Sequence, residues 1–214
     1  MPTPMLIEVD AASVRSGDVD LLPPTTVRIP DGGTVVVRGW NGAGKSTLLR
    51  LLAGVLRPTS GTVRFRGREV DERRPEFRRA VAAMIGLPPT APDLTIRDHV
   101  TLVATTWSDD VAEAAESAGR VLSELGLDRL GSRFPHELSS GQTQLFGLAL
   151  VLVRPFELLL LDEPEQRLDQ GHLERMIVAL QARRSRGVAL VVATHSEVLA
   201  GALSGSLLRL DEVP

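Results

Sequence analysis

The stretch that decides the fold is Gly39-Trp40-Asn41-Gly42-Ala43-Gly44-Lys45-Ser46-Thr47. It fits the pattern G-x-x-x-x-G-K-[ST], in which glycines let the backbone wrap closely around phosphate oxygens. A β-branched run, Thr34 to Arg38, precedes it, and the segment from Leu48 to Leu56 predicts a helix that ends near Gly54. Strand, loop and helix in this order predict a phosphate-binding loop.

The residue types of this loop suit a bound nucleotide. Consecutive backbone N–H groups and the helix N-terminus present partial positive charge to an anion. Lys45 reaches the β- and γ-phosphates as a compact charge, and Ser46 places its hydroxyl on Mg²⁺. We therefore predict that ATP and Mg²⁺ bind here, at Gly39, Asn41, Gly42, Ala43, Gly44, Lys45, Ser46 and Thr47. The alternative is a glycine-rich turn that matches the pattern by chance.

The composition supports a special role for Lys45. Among the 24 lysines and arginines of the chain, Lys45 is the one lysine. An ammonium suits a phosphate loop better than a planar guanidinium, which explains why the chain departs from arginine at this position.

Length and composition narrow the class of protein. The 214 residues allow one large domain, or a core with an inserted subdomain, and the 43% hydrophobic and 24% charged fractions exclude disorder. The longest apolar run, Leu145 to Val153, is far shorter than the ~20 residues of a spanning helix. The residues Met1 to Pro4 show no export-leader pattern, so we expect no leader, and the net charge of -3 gives no general attraction to nucleic acid. We expect cytoplasmic residence and no nucleic-acid partner.

A second candidate cluster lies far downstream, where Leu158-Leu159-Leu160-Leu161 runs directly into Asp162-Glu163-Pro164. Four apolar residues bounded by acids predict a strand buried on both faces of a parallel sheet, with the acids at its carboxyl end, where open α/β sheets bind ligands. Asp162 would then hold Mg²⁺ through its water shell, and Glu163 would orient or deprotonate the attacking water. The alternative is a leucine-rich strand with a solvated acidic cap.

The segment Leu138-Ser139-Ser140-Gly141-Gln142 resembles the signature sequence of the ABC ATPase family, with Ser140 where the family usually has glycine. The resemblance implies that Ser139, Gly141 and Gln142 contact the γ-phosphate of an ATP held by an opposite subunit. Residue chemistry alone predicts that Ser139 or Ser140 caps an apolar helix running to about Val153. A capping motif without a nucleotide role is the alternative.

Two further segments resemble this family. Arg167-Leu168-Asp169 resembles its D-loop, which crosses a dimer interface. His195 follows the apolar run Val188 to Thr194 and resembles its switch histidine, which implies a catalytic contact to the γ-phosphate beside Glu163. The remaining histidines are predicted to be structural, and these are His99, His136 and His172.

The chain departs from the family pattern at three places. The stretch Ser13 to Gly17 has no aromatic residue to stack on adenine, so Arg15 is predicted to stack there instead. The stretch Ala83 to Thr90 has no glutamine, and Leu145 stands where many relatives carry arginine. The missing glutamine predicts slower turnover or altered coupling. The three departures also leave open a degenerate, regulatory nucleotide-binding subunit, although the presence of Glu163 favours an active enzyme.

The resemblance implies an α/β fold, with a P-loop NTPase core, an antiparallel β subdomain and an inserted helical subdomain that carries the signature. We expect one ABC nucleotide-binding domain over residues 1–214, with its core at about 1–86 and 154–214 and the helical insertion at about 87–153. Predicted helices of the insertion are Ile96 to Thr106, Val111 to Leu125 and Gln142 to Val153. Predicted antiparallel strands are Leu6 to Val9, Thr26 to Ile29 and Thr62 to Arg66.

The resemblance also implies partners. A second nucleotide-binding subunit, identical or different, would complete each ATP site, and a polytopic permease would dock near Leu87 to Asp98. The chain would then lie on the inner face of the cell membrane and drive a transporter, which we expect to be an exporter. A non-transport ABC ATPase is the alternative from another class.

Overall fold

The computed structural model describes residues 5–210, so the prediction made for Met1 to Pro4 lies outside the described residues. The chain forms two compact units. The first consists of the segment that ends at Ile85, of Phe156–Glu163, and of the segment that starts at Arg183. The second consists of Gly86–Pro155 and Pro164–Ala182. The helical unit thus takes in Pro164–Ala182, a segment that the sequence-based boundaries assigned to the core.

The first unit contains two sheets and short helices. Its strands are β1 Met5–Ser16, β2 Val19–Pro30, β3 Thr34–Arg38, β4 Ser60–Phe65, β5 Arg68–Glu69, β6 Val81–Met84, β7 Leu158–Asp162, β8 Ala189–Ala193 and β9 Ser206–Arg209. Its helices are α1 Lys45–Leu52, α2 Pro75–Ala80 and α7 Glu197–Leu203. Strand β3 has the bounds predicted from the sequence, and α1 begins three residues before the predicted helix, inside the phosphate loop.

The strands of the central sheet are all parallel and follow the order β6-β7-β8-β3-β9. Every residue of β8 is buried, and so are the four leucines of β7, because helices or sheets cover both faces of a parallel sheet. Strands β3 and β7 flank β8, so the phosphate loop after β3 and the acids Asp162 and Glu163 at the end of β7 lie at the same edge. The predicted position of the acids at a carboxyl edge is therefore confirmed.

The second sheet is antiparallel, in the order β2-β1-β4-β5, and it includes all three predicted antiparallel strands. Helix α1 packs against β2 of this sheet and against β7 and β8 of the parallel sheet. Its four leucines, Leu48, Leu49, Leu51 and Leu52, are fully buried, and each such burial stabilises the fold by about 1.5–3 kcal/mol. The phosphate loop therefore leads into a helix that is fixed by the core. The fold class is the α/β arrangement that the sequence predicted.

The second unit is helical. Its helices are α3 Ile96–Thr105, α4 Val111–Glu124, α5 Ser140–Leu152 and most of α6 Gln170–Arg184. Thr95, Asp110 and Ser139 cap the first three of these helices through their side-chain oxygens. The predicted helices lie within one or two residues of α3, α4 and α5, and Ser139 is the cap of α5, as predicted.

Among the described residues, no helix combines the length and the apolar character that a membrane crossing requires.

Candidate nucleotide-binding site

The phosphate loop is held against the antiparallel sheet at Gly44. This residue precedes α1 with φ 95°, and a Cβ placed there would lie 2.7 Å from the Leu21 carbonyl oxygen and 2.9 Å from Leu22 Cδ1 of β2. Left-handed backbone and contact with a neighbouring strand both demand glycine. The second glycine of the motif thus fixes the start of α1 as well as shaping the loop.

Lys45 is 6% exposed, and all three of its ammonium N–H donors have acceptors. Its Nζ donates to the carbonyl oxygens of Gly39 at 2.8 Å and Trp40 at 3.1 Å. The third donor points to His195 Nε2 at 2.9 Å. The lysine is therefore fixed inside its own loop, in a position that phosphate oxygens could take over from these acceptors.

The contact with Lys45 determines the tautomer of His195. An ammonium has no acceptor, so His195 Nε2 accepts from Lys45 and the ring proton is on Nδ1. His195 Nε2 also lies 3.4 Å from Glu163 Oε1, and Lys45 Nζ lies 3.9 Å from that same carboxylate oxygen. The structure therefore brings together Lys45, Glu163 and His195, which the sequence predicted separately.

Ser46 and Asp162 meet at the same edge. Ser46 Oγ donates to Asp162 Oδ2 at 2.5 Å, the short distance typical of a hydroxyl on a carboxylate. A hydroxyl and a carboxylate oxygen in contact are hard ligands of the type that Mg²⁺ prefers, and protein sites for Mg²⁺ commonly use only one or two carboxylates together with substrate phosphates. The residues present fit the predicted ion.

The signature residues lie in the helical unit at the N-terminus of α5. Ser139 Oγ accepts from the Gln142 backbone N–H at 3.3 Å, and Gln142 Oε1 accepts from the Ser139 N–H at 3.0 Å, which completes a capping box. Gly141 lies against the Arg167 carbonyl oxygen, which a Cβ at Gly141 would approach to 2.8 Å. The signature and the segment that resembles the D-loop are therefore packed together.

The departures from the family pattern also have structural positions. The stretch without glutamine begins within β6 and continues into the loop after it. Leu145 lies in the first half of α5 and is 0% exposed, so it acts as a core residue. Arg15, at the end of β1, bonds through Nε to Asp20 Oδ1 at 2.8 Å, and both side chains are exposed. Such an exposed pair is weak, so Arg15 could leave it for another partner.

Sequence reasoning missed two contacts in the helical unit. Asp169 accepts from the His172 backbone N–H at 2.8 Å, and its other carboxylate oxygen lies 2.9 Å from His172 Nδ1. These hydrogen bonds to His172 hold the pKa of Asp169 below its ordinary value. The i,i+3 spacing of Asp169 and His172 at the start of α6 was the available signal, because an acid at a helix start often caps it.

His99 also makes contacts that the sequence did not indicate. It is 7% exposed, its Nε2 accepts from the Ala91 N–H at 2.9 Å, and its Nδ1 contacts the Thr95 carbonyl oxygen at 2.8 Å. The ring therefore ties the loop before α3 to the start of that helix.

A phosphate loop between a parallel strand and a buried helix, with carboxylates and a histidine at the same sheet edge, defines a P-loop nucleotide-binding protein of the α/β class. The profile of the ABC transporter family matches residues 22–166, which include the phosphate loop, the signature and both acids. The chain belongs to the ABC transporter family.

Known relatives agree with this membership. The chain is 36% identical over 212 residues to a putative ABC transporter ATP-binding protein of Streptomyces coelicolor, covering 99% of this chain and 37% of that protein. It is 32% identical over 200 residues to the spermidine/putrescine import ATP-binding protein PotA of Chromobacterium violaceum, covering 93% and 55%. It is 33% identical over 199 residues to the lipoprotein-releasing system ATP-binding protein LolD of Geobacter metallireducens, covering 90% and 88%. The chain thus spans only about a third to a half of the first two relatives.

Solved structures show the same fold. An ATP-binding subunit of an ABC transporter superposes with a TM-score of 0.85 at 26% identity, over 96% of this chain and 86% of that one. A dimeric ATP-binding cassette bound to ADP and phosphate superposes with a TM-score of 0.85 at 23% identity, over 96% and 94%.

Proposed function

We propose that this chain binds and hydrolyses ATP as the ATP-binding subunit of an ABC transporter. The observation that carries the proposal is the cluster at the carboxyl edge of the parallel sheet. There Lys45, Glu163 and His195 lie within 2.9–3.9 Å of one another. At this spacing the ammonium would bind phosphate oxygens and the carboxylate would act as the base for water. The imidazole would donate a hydrogen bond to the γ-phosphate.

The residues would share the work as follows. On ATP binding, Lys45 exchanges the Gly39 and Trp40 carbonyls for phosphate oxygens. Ser46 and Asp162 would hold Mg²⁺, which neutralises phosphate charge as the reaction proceeds. Glu163 would orient the attacking water and accept its proton.

His195 would have to change its hydrogen-bonding role. In the described structure its Nε2 accepts from Lys45, whereas a bond to a γ-phosphate oxygen needs Nε2 to donate. ATP binding would therefore be accompanied by a change in which ring nitrogen of His195 carries the proton. Lys45 makes this possible, because its move to the phosphates releases Nε2.

Replacement of Glu163 by glutamine tests hydrolysis. We expect the Glu163→Gln chain to keep ATP binding by calorimetry and to lose at least about 100-fold in ATP turnover, because the base for water is gone. The matched control is Glu157→Gln, at the opposite end of β7, where the carboxylate is exposed and pairs with Arg66. Equal turnover by Glu163→Gln and the unaltered chain would remove the catalytic assignment.

We also propose that two nucleotide-binding subunits sandwich ATP. Ser139, Gly141 and Gln142 would contact the γ-phosphate held by the opposite phosphate loop. Three observations support this arrangement: the signature at a capped helix N-terminus, the exposed Trp40 side chain on the phosphate loop, and the dimeric cassette that shares the fold. The N-terminus of a helix attracts anions. An exposed apolar indole on the phosphate loop is typical of a surface that a partner subunit covers.

A polytopic permease is the proposed second partner, docking near Leu87 to Asp98, with the chain on the inner face of the cell membrane. Export is our predicted direction, although the relatives' names include both an import protein and a releasing system. Co-purification from detergent-solubilised membranes tests the permease, and isolation only in complexes without a polytopic protein would favour the non-transport alternative. The direction is tested with inverted membrane vesicles, whose cytoplasmic face is outside. An exporter then moves its substrate into the vesicles when ATP is added outside.

A catalytically weak, regulatory subunit is the second candidate function. The observation that favours it is the stretch from Ala83 to Thr90, which lacks the glutamine that family members place there. ATP binding with turnover no greater than that of the Glu163→Gln chain would support this candidate over an active enzyme.

A further inference from the structure

The backbone at Glu163 has an uncommon conformation. Its φ is 45°, a left-handed value that residues other than glycine seldom adopt, and Pro164 follows it directly. A return of φ to the ordinary region would turn the side chain away from Lys45 and His195. The direction of the carboxylate therefore depends on whatever holds the backbone on either side of Glu163.

The parallel sheet fixes the backbone of Glu163 on one side. The Glu163 backbone N–H donates to the carbonyl oxygen of Ala193, the last residue of β8, at 2.8 Å. This bond continues the pairing of β7 with β8 by one residue beyond Asp162. It fixes the nitrogen side of Glu163.

The carbonyl side of Glu163 is joined to Pro164, which has no N–H and can be held through its backbone only at the carbonyl oxygen. That oxygen accepts from Gln144 Nε2 at 3.2 Å. Gln144 is 7% exposed and lies in α5, two residues after the signature, and Pro164 is itself buried. A buried carbonyl that loses its donor is costly, so this bond holds Pro164 in place.

The same helix contacts the loop at a second point. The Arg167 carbonyl oxygen packs against Gly141, and Arg167 is also left-handed, with φ 64°. The five residues from Glu163 to Arg167 thus begin and end with a left-handed residue other than glycine. Helix α5 supports the interior of this loop through Gln144 and its end through Gly141.

We propose that Gln144 is the positioning residue for the catalytic carboxylate, acting through the Pro164 carbonyl. The proposal rests on the proposed function, since it assigns Gln144 a part in ATP hydrolysis and none in ATP binding.

The first test is Gln144→Met, which keeps side-chain length and removes the N–H donor. We expect kcat for ATP hydrolysis to fall about tenfold while KM stays within about twofold, because displacement of a reacting group lowers the rate of chemistry. The matched control is Gln170→Met in α6, where Nε2 donates to the exposed Glu174 at 3.0 Å. An unchanged kcat in Gln144→Met would overturn the proposal.

A double variant separates positioning from general structural damage. In the Glu163→Gln background, single-turnover hydrolysis should be the same with and without Gln144→Met, because the carboxylate to be positioned is absent. The same tenfold loss in both backgrounds would show that Gln144 acts elsewhere and would also overturn the proposal.

If Gln144→Met does not fold, Gln144→Glu replaces it, because a carboxyl group donates to the Pro164 carbonyl only when it is protonated. The ratio of its kcat to that of the unaltered chain should then rise as pH falls from 9 to 6, and a pH-independent ratio contradicts the proposal. Hydrolysis by the unaltered chain is measured alongside, and its absence would count against the proposed function instead.

Discussion

The ammonium of Lys45 is fully hydrogen-bonded within the protein. Its three donors are taken by two carbonyls of its own loop and by His195, so it has a defined position instead of a flexible one. Under the proposed function, Lys45 would exchange these acceptors for phosphate oxygens at a small cost in side-chain entropy, because its side chain is already ordered.

Trp40 gives a measurable consequence of this exchange. Its side chain is 65% exposed, and its carbonyl accepts from Lys45, so the release of Lys45 to phosphate changes the peptide that carries the indole. In a Trp107→Phe chain, which leaves Trp40 as the one tryptophan, we expect ATP to shift the emission spectrum. Lys45→Ala, which removes the phosphate ligand, should abolish the shift. Calorimetric ATP binding without any spectral change would contradict this account.

At the scale of elements, the junction of the phosphate loop with α1 depends on Gly44. Alanine at Gly44 would clash with Leu21 of β2 and also adopt φ 95°, whereas alanine at Gly42 would adopt φ 89° with nothing within 4 Å. We expect Gly42→Ala to lower the free energy of unfolding by about 1–2 kcal/mol, the cost of left-handed backbone. Gly44→Ala should cost about 1–3 kcal/mol more, because it also overpacks the core. Urea unfolding without nucleotide measures both, and equal losses would disprove the role of β2.

Helix α3 begins with a capping box whose contribution should depend on pH. Thr95 Oγ1 accepts from the Asp98 N–H, and the Asp98 carboxylate accepts from the Thr95 hydroxyl and N–H. The bond from the Thr95 hydroxyl, followed by that from its backbone N–H, lowers the pKa of Asp98. The ionised form is therefore favoured in the folded state.

The stabilisation by Asp98 is accordingly present above its unfolded pKa of roughly 3.9 and is lost as pH falls through the lower folded value. We expect Asp98→Asn to be less stable than the unaltered chain by a constant amount from pH 8 to 5, with the difference shrinking below about pH 4. Urea unfolding across this range is the measurement. The control is Asp93→Asn, at an exposed acid just before the helix, and a similar pH-dependent loss there would point to net charge instead.

The elements differ in how far the sequence predicted them. Thr34–Arg38 and Ser140–Leu152 were predictable, because a β-branched run and a capped apolar segment determine their structure locally. Strand β6 was not, because the alanines of Val81–Met84 carry no strand preference and the strand forms by pairing with β7. Among the site residues, Lys45, Glu163 and His195 were each predicted from local motifs. The contact of Gln144 with Pro164 joins residues that are 20 apart and left no pattern.

At the scale of the whole molecule, the proposed sandwich predicts complementation between two inactive chains. Lys45→Ala lacks a phosphate ligand but keeps its signature. Ser139→Asp keeps a good N-cap, since aspartate caps as well as serine, but places negative charge opposite the triphosphate. Each preparation alone should be nearly inactive. An equimolar mixture should recover about a quarter of normal turnover, because half of the dimers are mixed and each has one intact site.

A matched mixture controls for simple addition of chains. In this control, Lys45→Ala chains are mixed with Glu163→Gln chains. Both substitutions affect the half of the site that holds the phosphate loop, so each site of a mixed dimer has a defect and no recovery is expected. Recovery only in the first mixture supports sites that are shared by two chains. No recovery in either mixture would mean that the signature acts within its own chain or has a purely structural role.

The single lysine gives this protein an unusual chemical property. Reagents that acylate side-chain amines have one target among its side chains, and that target is the buried Lys45 of the phosphate loop. Covalent labelling at lysine therefore measures how accessible the phosphate loop is, without background from other side chains. By the same reasoning, a lysine-to-lysine cross-link within a symmetric pair can join only the two phosphate loops. Mass spectrometry of one peptide would then report both the accessibility of the phosphate loop and whether two such loops lie within the length of the cross-linker.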